Sequence, residues 1–169
     1  MSDGAAATVS VHVAVPPAVA FAAFTAEVDR WWRRGPKYRH ADCHAGVTDA
    51  AIAIEPGIGG RVYESWRDAD GAHQFELGRV TEWRPPARFA FDWRNSTFAP
   101  DERTWVEVDF AAAAGGTLVT VRHHGWTGLR EGHPARHGAD DAAVVRASGM
   151  WWGGLLMALR QRLAARPPE

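Results

Sequence analysis

The chain has 169 residues, of which 46% are hydrophobic and 23% charged, and its formal net charge is −1 at pH 7. These values are typical of one globular domain with a sizeable core. The near-zero net charge provides no overall field that would attract nucleic acid or an anionic membrane, so neither is predicted as a partner.

Cysteine content and the N-terminal sequence indicate the cellular compartment in which the protein is expected. Cys43 is the only cysteine, so no intramolecular disulfide can form and a reducing compartment is expected. The first residues lack the basic and apolar segments of a secretion signal, and no uninterrupted apolar run reaches the ~20 residues of a membrane span. We predict a cytoplasmic protein without membrane insertion.

The first third of the chain predicts a strand, a helical region and a loop. Residues 1–7 are predicted as a flexible tail, and the alternating valines of residues 8–15 predict a strand with one buried face. Two prolines end that strand, and the apolar spacing of residues 18–32 predicts helix with a break near Thr25. Residues 33–50 are rich in His, Arg and Asp and predict a loop.

The middle of the chain predicts an antiparallel sheet of short strands separated by turn residues. Asp68-Ala69-Asp70-Gly71 between two of these strands is typical of a hairpin. Trp105 alternates with Val106 and Val108, so it is expected on the outer face of the sheet. The predicted strands are residues 51–55, 61–67, 74–83, 88–94, 104–112 and 117–124.

The C-terminal part predicts one long amphipathic helix over residues 140–163. Its first residue, Asp140, suits an N-terminal cap, and three interior glycines indicate close approach of a neighbour or room for a bound molecule. The apolar face repeats at four-residue steps through Trp151, Leu155, Leu159 and Leu163.

This order of elements predicts an α+β helix-grip fold over residues 8–165, treated as a single domain. A curved antiparallel sheet of about six to seven strands wraps around the long C-terminal helix, and short helices follow the first strand. A curved sheet that grips a helix leaves a gap between them, and that gap is the predicted ligand pocket.

A series of short motifs spans nearly the whole chain in a fixed order. The motifs are Val13-Ala14-Val15-Pro16-Pro17, Gly59-Gly60-Arg61-Val62-Tyr63-Glu64, Gly78-Arg79-Val80, Trp83-Arg84-Pro85-Pro86-Ala87-Arg88-Phe89, Phe91-Asp92-Trp93, Thr117-Leu118-Val119-Thr120-Val121, His123-His124-Gly125-Trp126 and Gly149-Met150-Trp151-Trp152. Together they resemble the SRPBCC superfamily, with its START and Bet v 1-like members. Within it, they are most similar to the bacterial branch related to the C-terminal domain of activators of the Hsp90 ATPase.

The resemblance implies a fold more than an activity, because the superfamily includes lipid carriers, polyketide cyclases and aromatases, oxygenase domains and co-chaperones. Three functions stay open. The first is binding of a small hydrophobic or aromatic ligand in an internal cavity. The second is a cyclase- or dehydratase-like reaction in the same cavity. The third is an Hsp90-activator-like interaction with a protein partner.

The predicted ligand-binding residues are mostly large aromatic side chains, which suit the wall of a roomy pocket. His123 shares a strand face with Val119 and Val121, so it is either a polar anchor and catalytic acid or base, or a hydrogen-bonded core histidine. The full predicted set is Trp32, Tyr63, Phe91, Trp93, His123, Trp126, Trp151, Trp152 and Leu156.

Other polar clusters predict no metal and no cofactor. His40 to His44 and the pair His133 and His137 lack the paired ligand spacing of zinc sites. Glu64 is interpreted as an exposed strand charge, and if the pleat turns it inward, Arg79 or Arg61 would be its partner. Edge strands and an outward Trp105 leave a homodimer open.

Overall fold

A computed structural model describes residues 5–165. Residues 1–4 of the predicted tail lie outside the described residues. The predicted tail extends too far, because Ala7 already belongs to the first strand, where it pairs with His123 and is buried.

The elements follow the predicted order with small shifts at their ends. The helical region breaks after Thr25, as predicted, because the backbone leaves the helix at Ala26 and Glu27 before the second helix begins. Short 3-10 turns occupy Ala41–Cys43, Trp126–Gly128 and Pro134–Arg136. The main elements are β1 (Ala7–Val13), α1 (Pro17–Thr25), α2 (Val28–Trp31), β2 (Thr48–Ile54), β3 (Arg61–Asp68), β4 (Gly71–Arg84), β5 (Arg88–Trp93), β6 (Thr104–Ala113), β7 (Gly116–His124) and α3 (Asp141–Ala164).

The seven strands form one antiparallel sheet in the order β1-β7-β6-β5-β4-β3-β2. Strands β2 to β7 are therefore neighbours in sequence as well as in space, and β1 joins the sheet beside β7. Short turns such as Ala69-Asp70, between β3 and β4, make this arrangement the simplest for consecutive strands. The predicted α+β helix-grip fold is confirmed.

Helix α3 is held at its start by a side-chain cap and along its length by its apolar face. Asp140 accepts a hydrogen bond from the backbone N–H of Ala143 at 2.8 Å. The length and mean hydropathy of α3 would also suit a membrane span, but the core helix of a folded domain has the same properties. In this fold its apolar face is buried against the sheet and the short helices through Trp152, Leu155, Leu156, Leu159 and Leu163.

Aromatic side chains fill the space between α1 and the sheet. Phe21 and Phe24 from α1 meet Phe89 of β5 and Phe110 of β6, with ring centroids 5.1–5.8 Å apart. All four are buried, so this end of the molecule is a packed core.

Two irregularities in β4 determine which side chains of the neighbouring strands face inward. The pairing between β3 and β4 shifts after Val62, and the pairing between β4 and β5 shifts after Val80. Each bulge adds one residue to β4 and reverses the side-chain alternation beyond it. Phe75 consequently shares the inner face with Glu64, and Trp83 faces inward beside Phe89.

Candidate functional site: an aromatic cleft at the open end of the sheet

A cleft of about 580 Å³ lies between the sheet, α3 and three loops. Its floor is formed by β3, β4, β5 and β7, and residues 36–43 form one wall. The N-terminal half of α3 and the loops at residues 95–97 and 135–139 form the other walls. The aromatic residues that line the cleft are Tyr38, Phe75, Trp93, Trp126 and Trp151.

The tryptophans of the cleft are fixed by a second aromatic layer behind them. Trp32, which is buried, stacks on Trp93 with centroids 6.4 Å apart and an interplanar angle of 20°. Trp32 also makes a T-shaped contact with Trp151, with ring centroids 5.8 Å apart. The indole N–H of Trp151 donates to the carbonyl oxygen of Lys37 at 2.8 Å, which ties α3 to the first loop. The cleft therefore has rigid, flat, apolar walls suited to a planar ligand.

Glu64 is the acidic side chain of the cleft, and its exposure in the structure corrects the sequence interpretation. Only 1% of its surface is exposed, because β3 turns it inward between Val62 and Trp66. Its two carboxylate oxygens accept the backbone N–H groups of His40 at 2.9 Å and Ala41 at 3.1 Å. Burial raises the pKa of the Glu64 carboxyl above its usual range, and the two backbone hydrogen bonds oppose that rise.

His123 is buried, and both of its ring nitrogens are hydrogen-bonded. The indole N–H of Trp152 donates to Nδ1 at 3.0 Å, so the neutral ring carries its proton on Nε2 and donates it to the Thr104 hydroxyl at 2.8 Å. Burial lowers the pKa of His123 to about 3. With both nitrogens occupied and the ring neutral, the arrangement favours the core-histidine interpretation over the predicted catalytic acid or base.

The structure separates the nine predicted ligand-binding residues into three groups. Trp93, His123, Trp126 and Trp151 line the cleft. Trp32, Phe91, Trp152 and Leu156 do not line it, and these buried side chains form the packed layer behind it.

Tyr63 lies on the opposite face of β3, away from the cleft. It alternates with the inward Val62 and Glu64, and its ring packs under the guanidinium of Arg61 at 4.2 Å. Its predicted role as a ligand-binding residue therefore has no geometric basis in this cleft.

The loops that form the far wall are joined to each other and to α3 by buried polar contacts. His133 is 1% exposed, and its Nε2 lies 3.1 Å from a carboxylate oxygen of Glu102. Arg136 bonds the carboxylate of Asp141 at the start of α3 and the carbonyl oxygen of Leu129. These contacts hold the far wall in place without strand pairing.

The histidine clusters considered as metal ligands have other contacts. The Nε2 atoms of His40 and His44 are 3.4 Å apart, and His44 stacks on Trp66. His133 is committed to Glu102 and to the backbone N–H of Ala135. Within residues 5–165, no group of three or more His, Cys, Asp or Glu side chains is placed to hold a metal ion.

Sequence reasoning missed several residues of the cleft, namely Tyr38, His40, Glu64 and Phe75. Glu64 had a detectable signal, since it lies two residues from both Val62 and Trp66, which are apolar. Phe75 gave conflicting signals, because it alternates with the inward Leu77 but not with the inward Val80, and the bulge in β4 places both on the same face.

The comparisons with known proteins agree with the architecture. The family model described as Activator of Hsp90 ATPase homolog 1-like protein matches residues 14–151. No curated protein matches the chain. Among solved structures, a protein of Mesorhizobium loti is similar, with a TM-score of 0.63, 16% identity, and coverage of 96% of this chain and 99% of that one.

Two further structures carry descriptive names. An AHSA1-like protein from Aeromonas hydrophila has a TM-score of 0.56 and 19% identity, with 97% of this chain and 99% of that chain covered. An HSP90 activator from Plasmodium falciparum has a TM-score of 0.60 and 17% identity, with 95% and 98% covered. Such identities show a shared fold. The match to the family model covers most of the chain, so this protein belongs to the Activator of Hsp90 ATPase homolog 1-like family.

Proposed function

We propose that this protein binds a small apolar or aromatic molecule in the cleft. The observation that carries the proposal is a cleft of about 580 Å³ whose walls include Phe75, Trp93, Trp126 and Trp151. Ligand sites are typically concave, lined by aromatic side chains and supplied with a few polar groups, and this cleft has all three properties. We expect the protein to bind this ligand in the cytoplasm and without a cofactor.

The two alternative functions have weaker support. The predicted acid or base of a cyclase or dehydratase was His123, and both of its nitrogens are already hydrogen-bonded. A protein-interaction role is suggested by the Plasmodium falciparum structure, which is named an HSP90 activator. In this protein the exposed large apolar side chains are distributed over a turn, the outer face of the sheet and α3, which gives the protein-interaction role less support. They are Ile58, Trp105, Leu118, Met150 and Met157.

The test is a fluorescence titration with the apolar dye ANS, followed by competition with fatty acids, flavonoids and polyketide-like aromatics. Trp151→Ala removes a cleft wall, and Met150→Ala, at an adjacent position that is 78% exposed, serves as the matched control. We expect Trp151→Ala to weaken binding about tenfold and Met150→Ala to leave it unchanged.

Absence of saturable binding by the folded wild-type protein would overturn the ligand proposal. In that case a change in the ATPase rate of an Hsp90 upon addition of this protein would support the protein-interaction alternative. Light scattering of the same samples tests whether the protein forms the homodimer that the edge strands leave open.

A further inference from the structure

Glu64 stands out among the cleft residues because it brings a carboxylate into an otherwise apolar floor. It is the acidic residue among the described side chains that line the cleft. Its cross-strand partner on β4 is Phe75, and Trp66 follows it on the same face. An apolar residue is the usual occupant of such a position, since ionised carboxylates are seldom fully buried without a partner.

The hydrogen bonds of Glu64 leave part of its acceptor capacity unused. Each carboxylate oxygen receives one backbone N–H, from His40 at 2.9 Å and from Ala41 at 3.1 Å. An ionised carboxylate accepts about four hydrogen bonds, so each oxygen keeps room for one more. The two N–H groups also fix the orientation of the carboxylate, which favours recognition of a donor at a defined place.

No cation neutralises Glu64 within salt-bridge distance among residues 5–165. The cation that most influences it is Arg39, and that guanidinium is committed to the carboxylate of Asp29 and the carbonyl of Trp32, each at 2.6 Å. A buried carboxylate held only by backbone N–H groups is unfavourable for stability compared with an apolar residue. That cost indicates a role beyond holding the 36–43 wall.

The surroundings of Glu64 define the kind of group that would reach it. The rings of Phe75 and His40 pack together beside it, with centroids 4.3 Å apart, and burial together with His44 lowers the pKa of His40, which favours the neutral imidazole. A flat aromatic ring bound among the tryptophans could therefore approach Glu64 with its edge. A hydroxyl or N–H on that edge would find an acceptor, whereas a carboxylate would meet like charge.

We propose that Glu64 recognises a hydrogen-bond donor on the ligand, so that the cleft selects hydroxyl- or N–H-bearing aromatic molecules over the same ring systems without a donor. This inference rests on the proposed ligand-binding function and specifies the ligand class for it. Selectivity follows because a ligand that displaces water from the carboxylate without replacing its hydrogen bond leaves a buried acceptor unpaired.

The experiment compares 2-naphthol with 2-methoxynaphthalene, which share a ring system and differ in the donor. Dissociation constants are measured by calorimetry for the wild type and for Glu64→Gln. We expect the wild type to prefer 2-naphthol by about tenfold or more, the effect of one hydrogen bond to a charged acceptor. Glu64→Gln should reduce this preference to about threefold or less while 2-methoxynaphthalene binding stays unchanged.

A second measurement detects the contact between Glu64 and the ligand directly, by fluorescence. 2-Naphthol is a stronger acid in its excited state, so a carboxylate in contact with its hydroxyl favours emission from the naphtholate form. We expect bound 2-naphthol to show that emission in the wild type and to lose it in Glu64→Gln. A purely structural role of Glu64 would not change this signal.

The outcomes separate the two proposals. Equal affinity of the wild type for both compounds overturns the role of Glu64 and leaves ligand binding supported. Equal weakening of both compounds by Glu64→Gln shows that Glu64 only holds the 36–43 wall, and this also overturns the inference. Failure of the wild type to bind either compound or any aromatic competitor of ANS overturns the proposed function itself.

Discussion

The two ends of the same sheet differ in what covers them. At the closed end, α1 places Phe21 and Phe24 against Phe89 of β5 and the space is filled. At the open end, β5 reaches Trp93, and loops take the place that α1 has at the closed end, so that these loops and the N-terminal half of α3 border the cleft. The difference shows that a helix supplies enough apolar surface to complete a core, whereas loops rich in polar groups leave a gap that a ligand can fill.

The largest expected effect on stability comes from truncating one phenylalanine at each end of the sheet. Phe89 is fully buried, so Phe89→Ala should lower the free energy of unfolding by about 3–5 kcal/mol through lost burial and the cavity left behind. Phe75 is half-buried at the cleft, and Phe75→Ala should lower it by about 1 kcal/mol. Urea denaturation of both variants measures the contrast, and equal losses would contradict the distinction between a packed end and an open one.

The second effect is a pH dependence of stability that originates at the open end, from His123 in the cleft lining. The folded state keeps His123 neutral, with a pKa of about 3, whereas the unfolded chain protonates it near 6.5. Between these values the unfolded state binds the extra proton, so stability should fall as the pH is lowered from 6.5, by up to about 1.4 kcal/mol per pH unit. Above pH 6.5 this contribution is constant.

The matched control for that pH dependence is His123→Gln, which removes the titrating group. His40 also has a lowered pKa and acts in the same direction, while the raised pKa of Glu64 acts in the opposite direction at lower pH. Both groups remain in the variant, so the difference in slope between pH 6.5 and 5 isolates His123. Identical slopes would mean that His123 titrates normally in the folded state.

The smallest effect concerns two adjacent glycines of α3. A methyl group at Gly153 would meet open space, so Gly153→Ala should raise the free energy of unfolding by about 0.5–1 kcal/mol through the greater helix propensity of alanine. A methyl group at Gly154 would lie 2.6 Å from the hydroxyl of Tyr38 on the cleft wall. Gly154→Ala should therefore raise the free energy of unfolding by less than Gly153→Ala does, and it should displace Tyr38.

Chemical denaturation measures the stability of both glycine variants, and their affinity for ANS shows whether the cleft wall at Tyr38 has changed. We expect a changed affinity only for Gly154→Ala. A stabilisation by Gly154→Ala equal to that of Gly153→Ala would show that Tyr38 moves without cost and does not shape the cleft.

The fold was predictable because its signals are local and repeated. The alternating valines of β1, the Asp68–Gly71 turn and the four-residue apolar repeat of α3 each specify an element from neighbouring residues alone. The break after Thr25 was predictable for the same reason. Sheet order followed because consecutive antiparallel strands pair with short connections.

The site was only partly predictable because it depends on register and on loop positions. Trp93 and Trp151 were identified from the strand and helix patterns, but the same patterns could not tell them from Trp152 and Leu156 one layer deeper. The orientation of Phe75 depends on a bulge that leaves no mark in composition. Glu64 was misassigned because its partners are backbone N–H groups, which any sequence supplies.

The tie between the loops by His133 and Glu102 has a consequence for how this protein could change over generations. The cleft walls at residues 36–43, 95–97 and 135–139 are positioned by such side-chain contacts and contribute nothing to the sheet ladder. Substitutions there can reshape the walls while the strands and the closed end keep their packing. Descendants of one ancestor could therefore acquire different ligands by drift in a few loop positions, without first passing through a poorly folded intermediate.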